Sequence, residues 1–168
     1  MIGIRRATHA DLDFLAALAS HEDVEPFMGA RAARSRTELA AELERQEAEP
    51  EAFGRFVIEV DGEPAGMLGF HRVSEANRIA HLEKLAVHPA HRGVGVEAAR
   101  AFCRLLFDEL GYHRLELEIY GFNERALRHA ERVGYVREGV RRKAYRRHDE
   151  WQDGVLYGLV REDLEAEH

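Results

Sequence analysis

Residues Leu82 to Leu110 read LEKLAVHPAHRGVGVEAARAFCRLLFDEL. Leu82 to Val87 is apolar enough for a strand, and His88-Pro89 ends it. Arg92-Gly93-Val94-Gly95 is a short glycine loop. From about Val96 to Leu110 the apolar residues recur at helical spacing. Strand, glycine loop and helix in that order aim free backbone N–H groups, and the positive end of a helix dipole, at one point in space. Such a point binds anions, phosphate above all. The rest of the chain reads as the scaffold of this turn and as the means of placing a second substrate beside it.

Toward the N-terminus, Gly3 to Arg6 is a short strand. Thr8, with Asp11 three residues on, caps a helix that carries Leu12, Leu15, Ala16 and Ala19 on one face. Pro26, Gly29 and the Ala/Arg-rich run to Ser35 form a loop. Ser35 or Thr37 caps a second helix, Glu38 to Glu47, charged on most faces and so expected at the surface; Pro50 ends it. Arg55 to Val60 and Ala65 to Val73 form a hairpin through Asp61-Gly62. After a turn at Ser74 to Asn77, the central strand runs from Ile79 to Val87. Beyond the long helix, Gly111 stops it, and Arg114 to Tyr120 alternates with Leu115, Leu117 and Ile119 on one face. Asn123 starts a short helix ending near Gly134. Tyr135 to Tyr145 and Trp151 to Val160 are two further strands joined at Arg147-His148-Asp149. The order β-α-α-β-β-β-α-β-α-β-β makes an α/β (α+β) fold, a mixed sheet with helices on both faces.

The 168 residues suit one domain with its own core. No apolar run approaches the ~20 residues of a membrane helix, and the N-terminus lacks a signal-peptide apolar region, so a cytoplasmic protein is expected. The single cysteine, Cys103, excludes an internal disulfide and a Cys-based zinc site, and its place on the apolar face of a helix makes it a packing residue. His88 and His91 flank Pro89 with no carboxylate pair at ligand spacing, so no metal is expected. The net charge of −7 argues against nucleic acid. It suits cationic substrates such as amines, or simply a solvated acidic surface. Arg141-Arg142-Lys143 and Arg146-Arg147 read as a solvated hairpin, or as a contact for an acidic group.

Four segments together resemble the GNAT superfamily of acetyl-CoA-dependent N-acetyltransferases. They are Leu85 to Gly95, Glu97-Ala98 with the helix end Glu109-Leu110-Gly111-Tyr112, Asn123 to Ala126 with Glu131 to Tyr135, and Arg137 to Arg141 with Trp151-Gln152-Asp153 and Tyr157. The last two look like the RimJ/RimL-like branch, which acetylates ribosomal-protein N-termini. The resemblance implies the GNAT fold, a mostly antiparallel sheet of seven strands splayed at its centre. It implies acetyl-CoA as co-substrate, an amine acceptor (a peptide N-terminus or a small amine) and no nucleic acid or membrane partner. It admits a homodimer. A polyamine or antibiotic acetyltransferase and a non-catalytic acyl-CoA-binding module are the rival readings.

The resemblance also assigns residues. Arg92, Gly93, Val94, Gly95, Val96 and Glu97 would hold the cofactor's pyrophosphate. Counted from Val87-His88-Pro89, Arg92 and Gly95 fall on the family's Arg/Gln-x-x-Gly-x-Gly/Ala pattern. Counted back from Glu97-Ala98 and Gly111, the two glycines are Gly93 and Gly95, and Ala90 replaces Arg or Gln. The second register keeps the helix length and places Glu97 with Arg100, Arg104 and Asp108 on the polar face; it is preferred. Leu85, Ala86 and Val87 would bond the pantetheine arm, a backbone N–H of Ala86 or Leu85 polarising the thioester. Asn123 and Ala126 match the family's contacts near the thioester, Asn123 also serving as a helix cap. The family's proton-donating Tyr falls on Ala130, and the branch's Ser on Ala126. Strand alternation puts His81, Glu83, Leu85 and Val87 on one face. Glu83 is the first candidate for the base that deprotonates the amine and His81 the second. Otherwise Glu83 is a strand carboxylate paired with a cation.

Overall fold

The computed structural model describes residues 1–166, with Lys84 described by its backbone only. The strands are β1 Ile2–Arg6, β2 Phe53–Val60, β3 Glu63–Ser74, β4 Ile79–Val87, β5 Arg114–Tyr120, β6 Val136–Arg147 and β7 Glu150–Val160. The helices are α1 Leu12–Ala19, α2 Arg36–Ala48, α3 Gly95–Asp108, α4 Glu124–Val133 and α5 Arg161–Glu165. The strands form one sheet in the order β1-β2-β3-β4-β5-β7-β6. Every pairing is antiparallel except the central one, β4 with β5. No described helix is long and apolar enough to cross a membrane.

Local chemistry accounts for the elements. Asp61 and Gly62 both take positive φ (52° and 85°), as do His148 and Asp149 (54° and 58°). Such two-residue turns match the twist of a hairpin. Ser35, not Thr37, caps α2: its hydroxyl accepts from the Glu38 N–H (3.1 Å), and the Glu38 carboxylate accepts from the Ser35 N–H (2.9 Å). α2 is charged outward but buries Leu39, Leu43 and Gln46. α5 has no counterpart in the sequence reading, because five residues show no period; its anchor is the buried Leu164.

Two apolar cores sandwich the sheet. One joins α3, α4 and α5 to the sheet through Phe70, Phe102, Leu106, Leu115, Val133 and Leu159. The other joins α1 and α2 to β2, β3 and β4 through Leu15, Leu18, Leu39, Leu43, Val57 and Met67. α1 and α2 therefore lie over the β1–β4 half of one face.

Two irregularities of β4 shape everything that follows. β4 pairs with β5 only at Ile79, Ala80 and His81, opposite Arg114, Leu115 and Glu116. Beyond His81 the two strands splay. Along the other edge, Met67 faces Ala86 and Gly69 faces Glu83. Leu68 thus stands opposite both Lys84 and Leu85, which is a β-bulge. The bulge reverses the alternation. His81 and Glu83 face the α1–α2 side, but Val87 packs on the α3–α4 core with Leu82, while Ala86 joins the α1–α2 core. The expectation that His81, Glu83, Leu85 and Val87 share one face is corrected here: strict two-residue alternation fails wherever one strand carries an extra residue.

Candidate active site

The turn after β4 is held on both sides. The His88 N–H donates to the Ala65 carbonyl (2.7 Å), and His88 Nδ1 accepts from the Ala90 N–H (3.1 Å), closing a short turn at Pro89–His91. Gly93 has φ +105°, a conformation L side chains rarely adopt. α3 begins at Gly95, one residue before the expected Val96, and ends at Asp108, two before Leu110. Its N-cap, Val94, has no side-chain oxygen to cap it, so the first N–H groups stay available to an anion. A Cβ on Gly95 would lie 3.1 Å from the buried His129 Nε2. Val96 is half-buried and Glu97 exposed on the first turn. Arg92 is also exposed; its Nη2 lies 3.3 Å from Asp23 Oδ2.

The splayed edge completes this side. Because the His88 N–H points to β3, alternation turns the Ala86 backbone to β3 and that of Val87 to the open edge, while Leu85 lies in the bulge, where alternation does not apply. Ala86 is therefore corrected as a donor into the cleft; Leu85, 40% exposed, remains. Asn123 caps α4, its Oδ1 accepting from the Ala126 N–H at 3.2 Å. Ala126 is half-buried and Ala130 buried on α4, and neither carries a proton donor.

Across the splay the chemistry is carried by side chains. Glu83 accepts from Arg55 Nη2 (2.6 Å) and lies 3.6 Å from His71 Nδ1. Burial pushes its carboxyl up, but His71 and Arg55 outweigh that and hold it down to about 2. A carboxylate that weak is a poor proton acceptor near neutral pH. Glu83 is thus found as the cation-paired strand carboxylate. Burial, then neighbouring His71, lowers the His81 imidazole below its usual range, against the pull of Glu83, Glu118 and Glu116. His81 is accordingly neutral near pH 7 and able to take a proton.

Glu118 and Tyr145 escape the sequence reading, and Arg141, read as a solvated hairpin residue or a contact for an acidic group, joins them. Tyr145 donates to the Glu118 carboxylate (2.5 Å to Oε1), and Arg141 Nη1 reaches both Glu118 Oε1 (3.1 Å) and the Tyr145 hydroxyl (2.8 Å). Burial and that bond push the Tyr145 phenol up to about 12. Gly154 makes room, since a Cβ there would sit 2.7 Å from the Tyr145 ring. The signal for Glu118 was present: with Leu115, Leu117 and Ile119 on one face of β5, Glu116, Glu118 and Tyr120 occupy the other. Tyr157 faces α4 instead and bonds Glu131 (3.2 Å), away from this wall. The rim is closed by the loop before α2, clasped to the β6–β7 hairpin. Arg147 Nη2 donates to the Glu25 carbonyl (2.9 Å), and His148 Nε2 meets the Pro26 carbonyl (2.8 Å). Phe27, Phe122 and Tyr120 stand in a row, with ring centroids 6.1 and 5.1 Å apart.

A glycine-hinged anion cradle beside a splayed strand, facing a polar mouth, defines an acyl-CoA-dependent acyltransferase. The chain belongs to the GNAT acetyltransferase family: the model of the acetyltransferase (GNAT) domain matches residues 2–136. It is similar to the SPbeta prophage-derived N-acetyltransferase YokL of Bacillus subtilis, at 29% identity over 125 residues, 73% of this chain and 70% of that one. Among solved structures it is similar to spermidine N-acetyltransferase from Vibrio cholerae in complex with CoA and spermine. That match has a TM-score of 0.86 and 20% identity, and covers 98% of each chain. Mycobacterium smegmatis RimJ in complex with CoA-disulfide matches at 0.82 and 23%, covering 98% of this chain and 84% of that one. At these identities the structures show the shared fold. The protein is an N-acetyltransferase that uses acetyl-CoA, and groups suited to that cofactor are present: the uncapped start of α3, the positive-φ turn at Gly93 and the edge of β4 left unpaired with β5 beyond His81.

Proposed function

We propose that this enzyme acetylates the α-amine of a peptide chain, in the RimJ/RimL-like manner, by direct attack of the amine on the thioester in a ternary complex. The observation that carries the reading is the acceptor wall. Its carboxylates are each engaged by a guanidinium: Glu83 by Arg55, which also holds Glu42, Glu116 by Arg114, which also holds Glu138, and Glu118 by Arg141. A wall whose carboxylates are already engaged by guanidiniums suits a peptide, which carries one ammonium and many backbone polar groups, better than a compact polycation that needs a carboxylate for each of its charges. Gly93 to Glu97 hold the pyrophosphate, with Arg92 beside them. Leu85 and Val87 hold the acyl arm, the Leu85 N–H lying toward the thioester oxygen. Asn123 and Ala126 border the thioester. His81 takes the amine proton, directly or through water, and catalysis is mostly positioning.

A second reading, a polyamine acceptor, is favoured by relatives named for that activity, such as the spermidine N(1)-acetyltransferase of Escherichia coli, 25% identical over 116 residues. Incubation with acetyl-CoA and a panel of peptides, spermidine and small amines, followed by free-thiol release, separates the two. Peptide turnover well above spermidine turnover is expected; the reverse order overturns the peptide assignment. CoA binding with no thiol release from any acceptor would make the chain a binding module.

A further inference from the structure

Arg55 is a charged residue only 6% exposed, set among four elements. Its Nε donates to Glu42 of α2 (2.6 Å), and Nη2 donates to both Glu42 and Glu83 of β4. Nη1 bonds the Gly54 carbonyl (3.1 Å), the Phe53 ring stacks 4.3 Å from the guanidinium, and the Arg55 N–H is fixed by Gln46 Oε1 (2.8 Å). On β3, Gly69 leaves the space a side chain would need: its Cβ would collide with the guanidinium. A groove of about 450 Å³ opens over this cluster, lined also by Ala41, Arg45 and His71.

Glu83 is the last residue before the bulge at Lys84–Leu85. An extra residue in a strand is a local choice that needs an anchor, because a one-residue slip sends every side chain to the other face. If Ile79 to Glu83 slipped by one, β4 would straighten and Glu83 would turn toward the α3–α4 core. Its bond to Arg55 opposes that slip. The bulge in turn decides which backbone groups meet the open edge beyond His81.

We propose that Arg55 is a positioning residue for acyl transfer: by gripping Glu83 from β2 while braced on Glu42 of α2, it holds the β4 bulge in place and so aims the Leu85 and Val87 backbone at the acetyl arm. This rests on the acetyl-CoA reading. It changes the part of Glu83 from base to handle. Arg55 touches no reacting atom; it joins the helix on the acceptor side to the strand on the cofactor side. Arginine suits this task because its planar fork serves two carboxylates at once, which lysine cannot reproduce.

The test compares wild type, Arg55→Met, Arg55→Lys and Glu83→Gln. In the protein without cofactor, Arg55→Met is expected to shift the ¹⁵N–¹H signals of Leu85, Ala86 and Val87 more than those of β1 or β6, with Arg55→Lys intermediate. With cofactor, Arg55→Met is expected to weaken acetyl-CoA about tenfold by calorimetry. The same variant should leave 3′-phospho-ADP, which carries the diphosphate but no pantetheine arm, unchanged. Unmoved Leu85 to Val87 signals, or equal weakening of both ligands, overturns the proposal. If Arg55→Met does not fold, Glu83→Gln gives the same readout: smaller shifts in those three signals support the proposal and none overturns it. Failure of wild type to bind either ligand would count against the cofactor reading, and the signals of the cofactor-free protein would still decide the role of Arg55.

Discussion

The two sides of the splay are built from different materials. On the cofactor side the working groups are backbone: the start of α3, the positive-φ turn at Gly93 and the free edge of β4. On the acceptor side they are side chains held in pairs far apart in the chain. Arg55 and Glu83 are 28 residues apart, Arg141 and Glu118 are 23, and Arg147 and Glu25 are 122. An acetyl donor shared by many enzymes can be held by main-chain geometry that tolerates sequence change. An acceptor must be told from its competitors, and that requires specific side chains.

The contrast can be broken most forcefully at Gly95. Gly95→Asp puts a carboxylate and a Cβ against His129 at the anion cradle, and should weaken acetyl-CoA about 100-fold by calorimetry. A change below about threefold would remove the backbone cradle from the account. Next comes His81→Gln, expected to cut turnover about 100-fold with acetyl-CoA affinity intact. In the wild type the base must be neutral. Since burial lowers the His81 imidazole from its ordinary value near 6.5, the acid-side fall in rate should lie below pH 6.5 and the rate should be flat above it.

Glu83→Gln separates handle from base. If Glu83 were the base, its loss would be relieved at high pH; as a handle, the loss is the same fold at every pH. The stability effect has a definite sign. A carboxyl held at about 2 when folded and about 4.5 when unfolded stabilises the fold fully above 4.5, and that contribution is lost as pH falls toward 2. Urea denaturation should therefore show Glu83→Gln less stable by about 1–3 kcal/mol at pH 7, and the gap should close below pH 4.5. The smallest effect is expected of Tyr145→Phe, which removes the bond donated to Glu118 and the one accepted from Arg141. Acceptor KM should rise about threefold to tenfold with acetyl-CoA affinity unchanged.

The same division explains what the sequence could convey. Ile79–Val87 and Arg114–Tyr120 are found at the expected bounds, because alternating strands between turn residues announce themselves locally. Gly93 is found at positive φ in the turn before α3, because a glycine there is demanded by conformation and conformation is local, whereas Gly95 opens α3 against the side chain of His129. The bulge was not legible: nothing in Glu83-Lys84-Leu85 marks an extra residue, and only the pairing with Leu68 creates it. The cation pairing of Glu83 is one of the two readings the sequence offers, but the partner is not legible, since Arg55 arrives from a strand two positions across the sheet. Glu118 lay in an alternation that was read for its apolar face alone.

The central claim is that acetyl-CoA is held by the main chain of β4 and α3 while the acceptor wall waits for the amine. Titration of the ¹⁵N-labelled protein with acetyl-CoA tests it residue by residue. The account predicts large shifts at Leu85, Val87 and Gly93 to Glu97, with Glu118, Arg141 and Tyr145 nearly still until an acceptor is added. Shifts centred on that wall, with Leu85, Val87 and the glycine turn unmoved, would contradict it.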